Sequence, residues 1–179
     1  MRSPLTTFIT TTGFPTACSE RGSLPIFPLP KNDPKGKTVM NTVKTDEWKH
    51  TDSLTLARGA VRLLLEKKAG AVAMYHVSDV TSVTDYYINA TGRSSTQVAS
   101  LADDVVEELS LHGRDALRVE GRSGGAWVLV DYGDVIVNVF DRPSREFYPL
   151  DRLFPAECAV DISDLVAEVD EKFDINKKG

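Results

Sequence analysis

The run Trp127-Val-Leu-Val-Asp-Tyr-Gly-Asp-Val-Ile-Val-Asn-Val-Phe140 constrains the fold more than any other stretch, because two strand patterns flank Gly133-Asp134. A two-residue loop with Gly first suits the mirror-image turns that match strand twist, and it pairs Tyr132 with Val135. That register sorts every side chain. One face collects Val128, Val130, Tyr132, Val135, Val137 and Val139; the other collects Trp127, Leu129, Asp131, Ile136, Asn138 and Phe140. The valine face is a core face. The second face mixes aromatics with Asp131 and Asn138, too polar for a dry core and too apolar for a solvated surface, and is expected to receive a partner.

Around the hairpin the chain reads as alternating helices and strands. A first helix is expected from about Ser53 to Lys68, capped by Asp52 or Ser53 and closed by Gly70, with Leu54, Ala57, Val61, Leu64 and Leu65 on one face. Ala71 to Val77 and Asp85 to Thr91 read as strands joined through Ser78 to Val83, with Ser82 and Asp85 as turn caps. Ser94 and Gln97 form a capping box, followed at helical spacing by Val98, Leu101, Ala102, Val105 and Leu109 until Gly113. A third strand is expected near Leu117 to Glu120, and a short helix or turn around Arg152. The sum is an α/β (α+β) domain with a mixed five-stranded sheet and covering helices. Farther on, Ile162, Leu165, Val166, Val169 and Phe173 recur at helical spacing, so Ser163 to Phe173 reads as an acidic amphipathic helix, docked either on its own core or on a partner.

With 179 residues, 41% of them hydrophobic, the chain suffices for one core plus extensions. Three segments are expected: a leader over 1–45, the domain over 46–155 and an acidic amphipathic extension over 156–179. The leader is Ser/Thr-rich and carries six Lys or Arg against Glu20 and Asp33, a composition that suits organelle import. Its alternative is a disordered tail kept extended by Pro25, Pro28, Pro30 and Pro34. The mitochondrial matrix is the first choice, with the plastid as alternative, or the cytoplasm if the leader is only a tail. The net charge of −5 argues against a broad basic nucleic-acid surface and for a protein partner. No run approaches the roughly 18 apolar residues of a membrane span. Cys18 and Cys158 lack zinc-site spacing, and His50, His76 and His112 are dispersed, so no metal is expected.

Catalytic readings find little support in the residues. The helix opening at Gly92-Arg-Ser-Ser offers backbone amides to an anion, which makes a nucleotide-binding enzyme the alternative reading. Its metal-binding carboxylates do not converge: Asp103 and Asp104 are adjacent in a helix, and Asp131 and Asp134 straddle a turn. A Ser or Cys nucleophile lacks a base, since only His76 lies within a motif. Of the aromatics, Trp127 and Tyr148 carry polar tips and read as contact residues, whereas packing is the preferred role for Phe147 and Leu150. Asp134 reads equally as a turn residue and as a contact, while Asp131 either meets a cationic group on a partner or stays at a wet edge.

The hairpin, together with Arg145-Glu-Phe-Tyr-Pro-Leu-Asp-Arg-Leu-Phe154, resembles the Iojap family, also called ribosomal silencing factor S. Tyr75-His-Val-Ser78, Ser82-Val-Thr-Asp85-Tyr86-Tyr87-Ile88, Thr91-Gly-Arg-Ser-Ser95 and Leu117-Arg-Val-Glu-Gly121 match in order, from about Leu54 to Phe154. Asp131, Gly133 and Asp134 are kept. The family usually has Asp where this chain has His76, His where it has Asn138, and Trp where it has Phe154. Replacing that histidine removes the one group on the face that titrates near neutrality, which weakens a catalytic reading and leaves a binding one intact.

The resemblance implies a nucleotidyltransferase-like topology without the catalytic residues, and an organellar, non-enzymatic factor that docks on the large ribosomal subunit and keeps the small subunit from joining. It implies a small β-barrel protein at the intersubunit surface as partner, with Trp127, Asp131, Asp134, Asn138, Phe140, Tyr148, Leu150 and Phe154 as contacts, and only minor ribosomal RNA contact. It further implies a role in late large-subunit assembly or silencing, an adaptor of the LYR type and an acyl carrier protein. Arg58, Arg62, Lys67 and Lys68 are candidates for the acidic carrier, although an ordinary solvated face is the plainer role for them. No cofactor, membrane or small-molecule substrate is implied. A pure assembly scaffold that never blocks joining is a third reading.

Overall fold

The structure is a computed structural model and describes residues 48–177; the expected leader lies outside the described residues. The elements run α1 (Ser53–Glu66), β1 (Gly70–His76), β2 (Tyr86–Thr91), α2 (Ser95–Leu111), β3 (Arg118–Glu120), β4 (Trp127–Asp131), β5 (Val135–Phe140), α3 (Arg142–Phe147), β6 (Ala159–Val160) and α4 (Ser163–Lys177), with 3-10 turns at Leu150–Arg152 and Ala156–Cys158. The class is α+β with a mixed sheet, as expected, but the sheet has six strands, not five. Its order is β3-β4-β5-β2-β1-β6. Strands β2 and β5 pair in parallel, and the other neighbours are antiparallel. The sixth strand escaped the sequence reading because two residues are too short to show a period; Met74 and Tyr75 of β1 pair with Val160 and Ala159.

The hairpin has the register its sequence demands. Trp127 pairs with Phe140 and Asp131 with Ile136, and the Tyr132 amide donates to the Val135 carbonyl at 2.9 Å across Gly133 at φ +90°. All six residues of the valine face are buried. They pack beneath α1 and α2, where the Tyr132 hydroxyl donates to the Val105 carbonyl at 3.3 Å. Burial pushes the Tyr132 phenol well above its ordinary range.

Helix α1 starts at Asp52, whose carboxylate accepts from the Thr55 amide at 2.9 Å. Its apolar face is Leu56, Ala57, Ala60, Val61, Leu63 and Leu64, so the expected stripe is rotated and Leu54 is exposed. The helix does not close on Gly70: Lys68 takes the left-handed conformation at φ +61°, and Gly70 already begins β1. Gly59 sits mid-helix where a Cβ would come within 2.3 Å of the Trp48 indole, itself stacked on His112 at 5.1 Å. Helix α2 has the predicted cap, with the Ser94 hydroxyl accepting from the Gln97 amide at 3.2 Å. Helix α4 docks on the protein's own α1 through Leu165 and Val169, both buried. Three ion pairs flank that seam, Arg58–Asp164, Arg62–Glu168 and Glu66–Lys172. Each spans 106 residues, so the two helices run parallel.

Candidate functional site

The face opposite the valines is the region the sequence singled out, and the chain's own segment 142–158 covers part of it, with Arg145 over the Phe140 ring at 5.7 Å, while Trp127, Leu129 and Asp131 stay half-buried. That corrects the expectation of a face open to a partner. Strand β5 is buried along its whole length, with β4 and β2 on its two edges, α1 and α2 packed on one face and Arg145 over Phe140 on the other. The hairpin pattern could not reveal the cover, since a polar column in one strand shows its partner only when the neighbouring strand is in place. That neighbour is β2: Asn89 stands beside Asn138 in the parallel register.

The two asparagines start a continuous polar chain. Trp127 Nε1 donates to Asn138 Oδ1 at 3.1 Å, Asn138 Nδ2 to Asn89 Oδ1 at 3.2 Å, and Asn89 Nδ2 to Asp151 Oδ1 at 3.1 Å. The Tyr75 hydroxyl donates to the same oxygen at 2.9 Å. Arg145 closes the chain as a fork, Nε to Asp151 Oδ2 at 2.6 Å and Nη2 to Oδ1 at 2.9 Å. Burial alone would raise the Asp151 carboxyl, but the hydrogen bonds from Arg145, Asn89 and Tyr75 prevail and hold it below the usual carboxylate range. Burial, then the bond to Asp151, pushes Tyr75 up to about 12.

Aromatic rings connect this buried layer to solvent. Phe140, fully buried, stacks on Trp127 at 4.9 Å; Trp127 meets Tyr148 at 5.5 Å, and Tyr148 meets Phe147 edge-on at 4.7 Å. A second group sets Phe154 between Tyr75 and Tyr87, at 5.9 and 5.1 Å. The outer end is bare: Phe147 is 76% exposed, Leu153 68% and Tyr148 47%. The packing role expected for Phe147 is therefore wrong in this structure: its ring lies in solvent apart from the edge contact with Tyr148.

The eight residues the resemblance selected divide by depth. Tyr148 is exposed, and Trp127, Leu150 and Phe154 are half-buried beside it. Asn138 and Phe140 are sealed beneath the cover and offer nothing to a partner directly; they support the residues above them. Asp131 and Asp134 lie at the hairpin turn. The turn role expected of Asp134 is filled by the Asp131 carboxylate, which accepts from the Gly133 amide at 2.7 Å, while Asp134 pairs with Arg114 at 2.5 Å. Sequence reasoning missed Tyr75, Asn89, Arg145, Asp151 and the exposed Leu153. One signal was available: Asn89 interrupts an apolar strand.

The start of α2 is poorly suited to an anion. Its Gly92 amide donates to the Phe140 carbonyl at 2.7 Å, that of Arg93 to Gln97 Oε1 at 2.8 Å, and that of Gln97 to the Ser94 hydroxyl. The loop at Gly125 crowds Ser95 so closely that a Cβ there would stand 2.8 Å from the Ser95 Cβ. The four carboxylates are spoken for separately, Asp103 by Arg122, Asp104 by Lys67 at 3.0 Å, Asp131 by Gly133 and Asp134 by Arg114. Among the described residues no group of three or more His, Cys, Asp or Glu is placed to hold a metal ion. The cations of α1 are engaged too: Arg58 and Arg62 by α4, Lys67 by Asp104, and Lys68 lies over the Phe173 ring at 4.8 Å.

Comparison with known proteins adds four findings. The family model described as ribosomal silencing factor during starvation matches residues 50–178. The chain is 29% identical over 108 residues to ribosomal silencing factor RsfS of Halalkalibacterium halodurans, covering 60% of this chain and 92% of that protein. It is 24% identical over 97 residues to the mouse protein named mitochondrial assembly of ribosomal large subunit protein 1, covering 52% of this chain but only 42% of that one. A crystal structure of a Chromobacterium violaceum protein, 34% identical, superposes with a TM-score of 0.56 over 57% of this chain and 86% of the other.

Proposed function

The chain belongs to the ribosomal silencing factor family, and from that premise we propose that it docks on the large ribosomal subunit and blocks joining of the small subunit, without chemistry of its own. One observation supports this above the rest. Phe147 and Tyr148, in edge-on contact, present bare apolar surface with half-buried Trp127 against Tyr148, and Leu153 is exposed on the same segment of chain. Large aromatic residues held in place lose little rotamer freedom on binding, which is what an interface anchor requires. The partner is a small β-barrel protein of the intersubunit surface. Asp131 and Asp134 at the turn and Leu150 beneath the patch complete the contact, with Asn138 and Phe140 as its foundation.

The protein acts in an organelle, and the mitochondrial matrix is the compartment proposed; the name of the mouse relative and the basic, Ser/Thr-rich residues 1–45 support this reading. It extends to late large-subunit assembly and to an adaptor of the LYR type with its acyl carrier protein. That acidic carrier would compete with Asp164 and Glu168 for Arg58 and Arg62.

The test is co-sedimentation of the full chain with purified mitochondrial large subunits, followed by small subunits. The wild type should comigrate and lower the yield of joined ribosomes, and Phe147→Ala/Tyr148→Ala should do neither. Comigration with no effect on joining would overturn occlusion and leave an assembly scaffold. Binding to plastid subunits alone would overturn the compartment.

A further inference from the structure

We propose that Asp151, gripped by Arg145, is a positioning residue: it sets the placement of the docking patch, and the inference rests on the docking reading above. The segment that carries the patch is poorly held by apolar burial. No apolar side chain of α3 or of the two 3-10 turns is fully buried. Helix α3 has six residues, too few to be stable by itself. Beside the ring contacts of Tyr148 and Phe154, the polar joint to the sheet centres on one carboxylate with partners on three elements, Tyr75 on β1, Asn89 on β2 and Arg145 on α3. Arg145 adds a third anchor by donating to the Ala71 carbonyl at 3.2 Å.

The spacing then matters. Phe147 and Tyr148 lie between Arg145 and Asp151 in the chain, inside the loop that this pair closes, and Leu153 stands two residues beyond it. When the fork holds, the rings keep the order Phe140, Trp127, Tyr148, Phe147. When it is broken, the loop gains conformations, and the partner must bind only the fraction that is correctly arranged. Asp151 thus contributes to affinity without touching the partner.

Hydrogen exchange on the full chain, followed by co-sedimentation with large subunits, tests this. Asp151→Asn keeps the size and removes the charge. It should speed amide exchange across residues 142–158, leave α1, α2 and β5 at wild-type rates, and weaken large-subunit binding about tenfold, or about 1.4 kcal/mol. Arg145→Gln should give the same pattern, and Asp151→Glu should restore part of the binding. Unchanged exchange over 142–158 in Asp151→Asn overturns the proposal, as does faster exchange with binding intact. A rise in exchange throughout the domain in both variants also overturns it, because the pair would then serve general stability. Failure of the wild type to bind counts against the docking reading, whereas the exchange pattern is read without ribosomes and judges the latch separately.

Discussion

At the residue scale the molecule turns on a few polar side chains placed where the pattern calls for apolar ones. Asn138 takes a bond from Trp127 and gives one to Asn89, both within a buried layer. Removing it leaves the buried Asn89 amide oxygen and the half-buried Trp127 indole N–H without this partner, a loss of about 1–3 kcal/mol. Asn138→Ala should therefore lower the urea midpoint by a corresponding amount. In a double-mutant cycle with Asn89→Ala the two changes should be non-additive by about 0.5 kcal/mol or more. Strict additivity would show that the asparagines do not act as a pair. Asp151 sets a pH dependence of known sign. Its folded carboxyl lies below the unfolded value of about 3.9, so its contribution is complete above that value and is lost as pH falls through the folded pKa. Intrinsically corrected exchange protection of residues 142–158 should stay flat from pH 8 to about 5 and drop only in more acid solution, and in Asp151→Asn the drop should vanish.

At the scale of elements, α1 shows how tertiary packing overrules local preference. Glycine within a helix costs about 1 kcal/mol relative to alanine, which makes Gly59 look like an error. The Trp48 ring fills the space a methyl group would need. Gly59→Ala should thus destabilise by about 1–3 kcal/mol despite its better propensity, as read from thermal unfolding. A stabilised variant would place Trp48 elsewhere. Helix α4 makes a different case: two buried side chains and three partly exposed ion pairs hold it. Such pairs are each worth about 0.2–1 kcal/mol and are screened by salt. Raising NaCl from about 0.1 to about 1 M should speed exchange in α4 while α2 stays protected. Equal response in both helices would mean that α4 is not held by these pairs.

For the whole molecule, the charge balance predicts how binding responds to salt. A factor that relied on phosphate contacts would lose about 10³ or more in affinity between 50 and 200 mM salt. A chain of net charge −5 that docks through an aromatic patch should lose far less, about tenfold at most, in co-sedimentation over that range. A steep loss would point to ribosomal RNA as the main contact. Much of this architecture was legible beforehand. Alternation across Gly133-Asp134 gave the hairpin and its core face, and the Ser94–Gln97 box gave the start of α2. The site was legible only in part. Trp127 and Tyr148 of the proposed contact stand out in the sequence because they carry polar tips on a mixed face. Arg145 and Asp151 do not stand out, because the partners that fix Asp151 lie on strands more than sixty residues away in sequence, and Phe147 was misjudged because a six-residue helix leaves no period from which to read depth.

The two-residue strand β6 has a consequence for how the chain is made. It is paired to β1, yet about eighty residues of sequence separate them, so β1 is synthesised long before the strand that covers its outer edge. Until residue 160 has left the ribosome, the amides and carbonyls of Met74 and Tyr75 face outward as an unfinished seam. A nascent chain therefore carries this open seam from the completion of β1 until β6 emerges. A ribosome that stalls short of that point would release a nearly complete protein with one adhesive border, a substrate for chaperones.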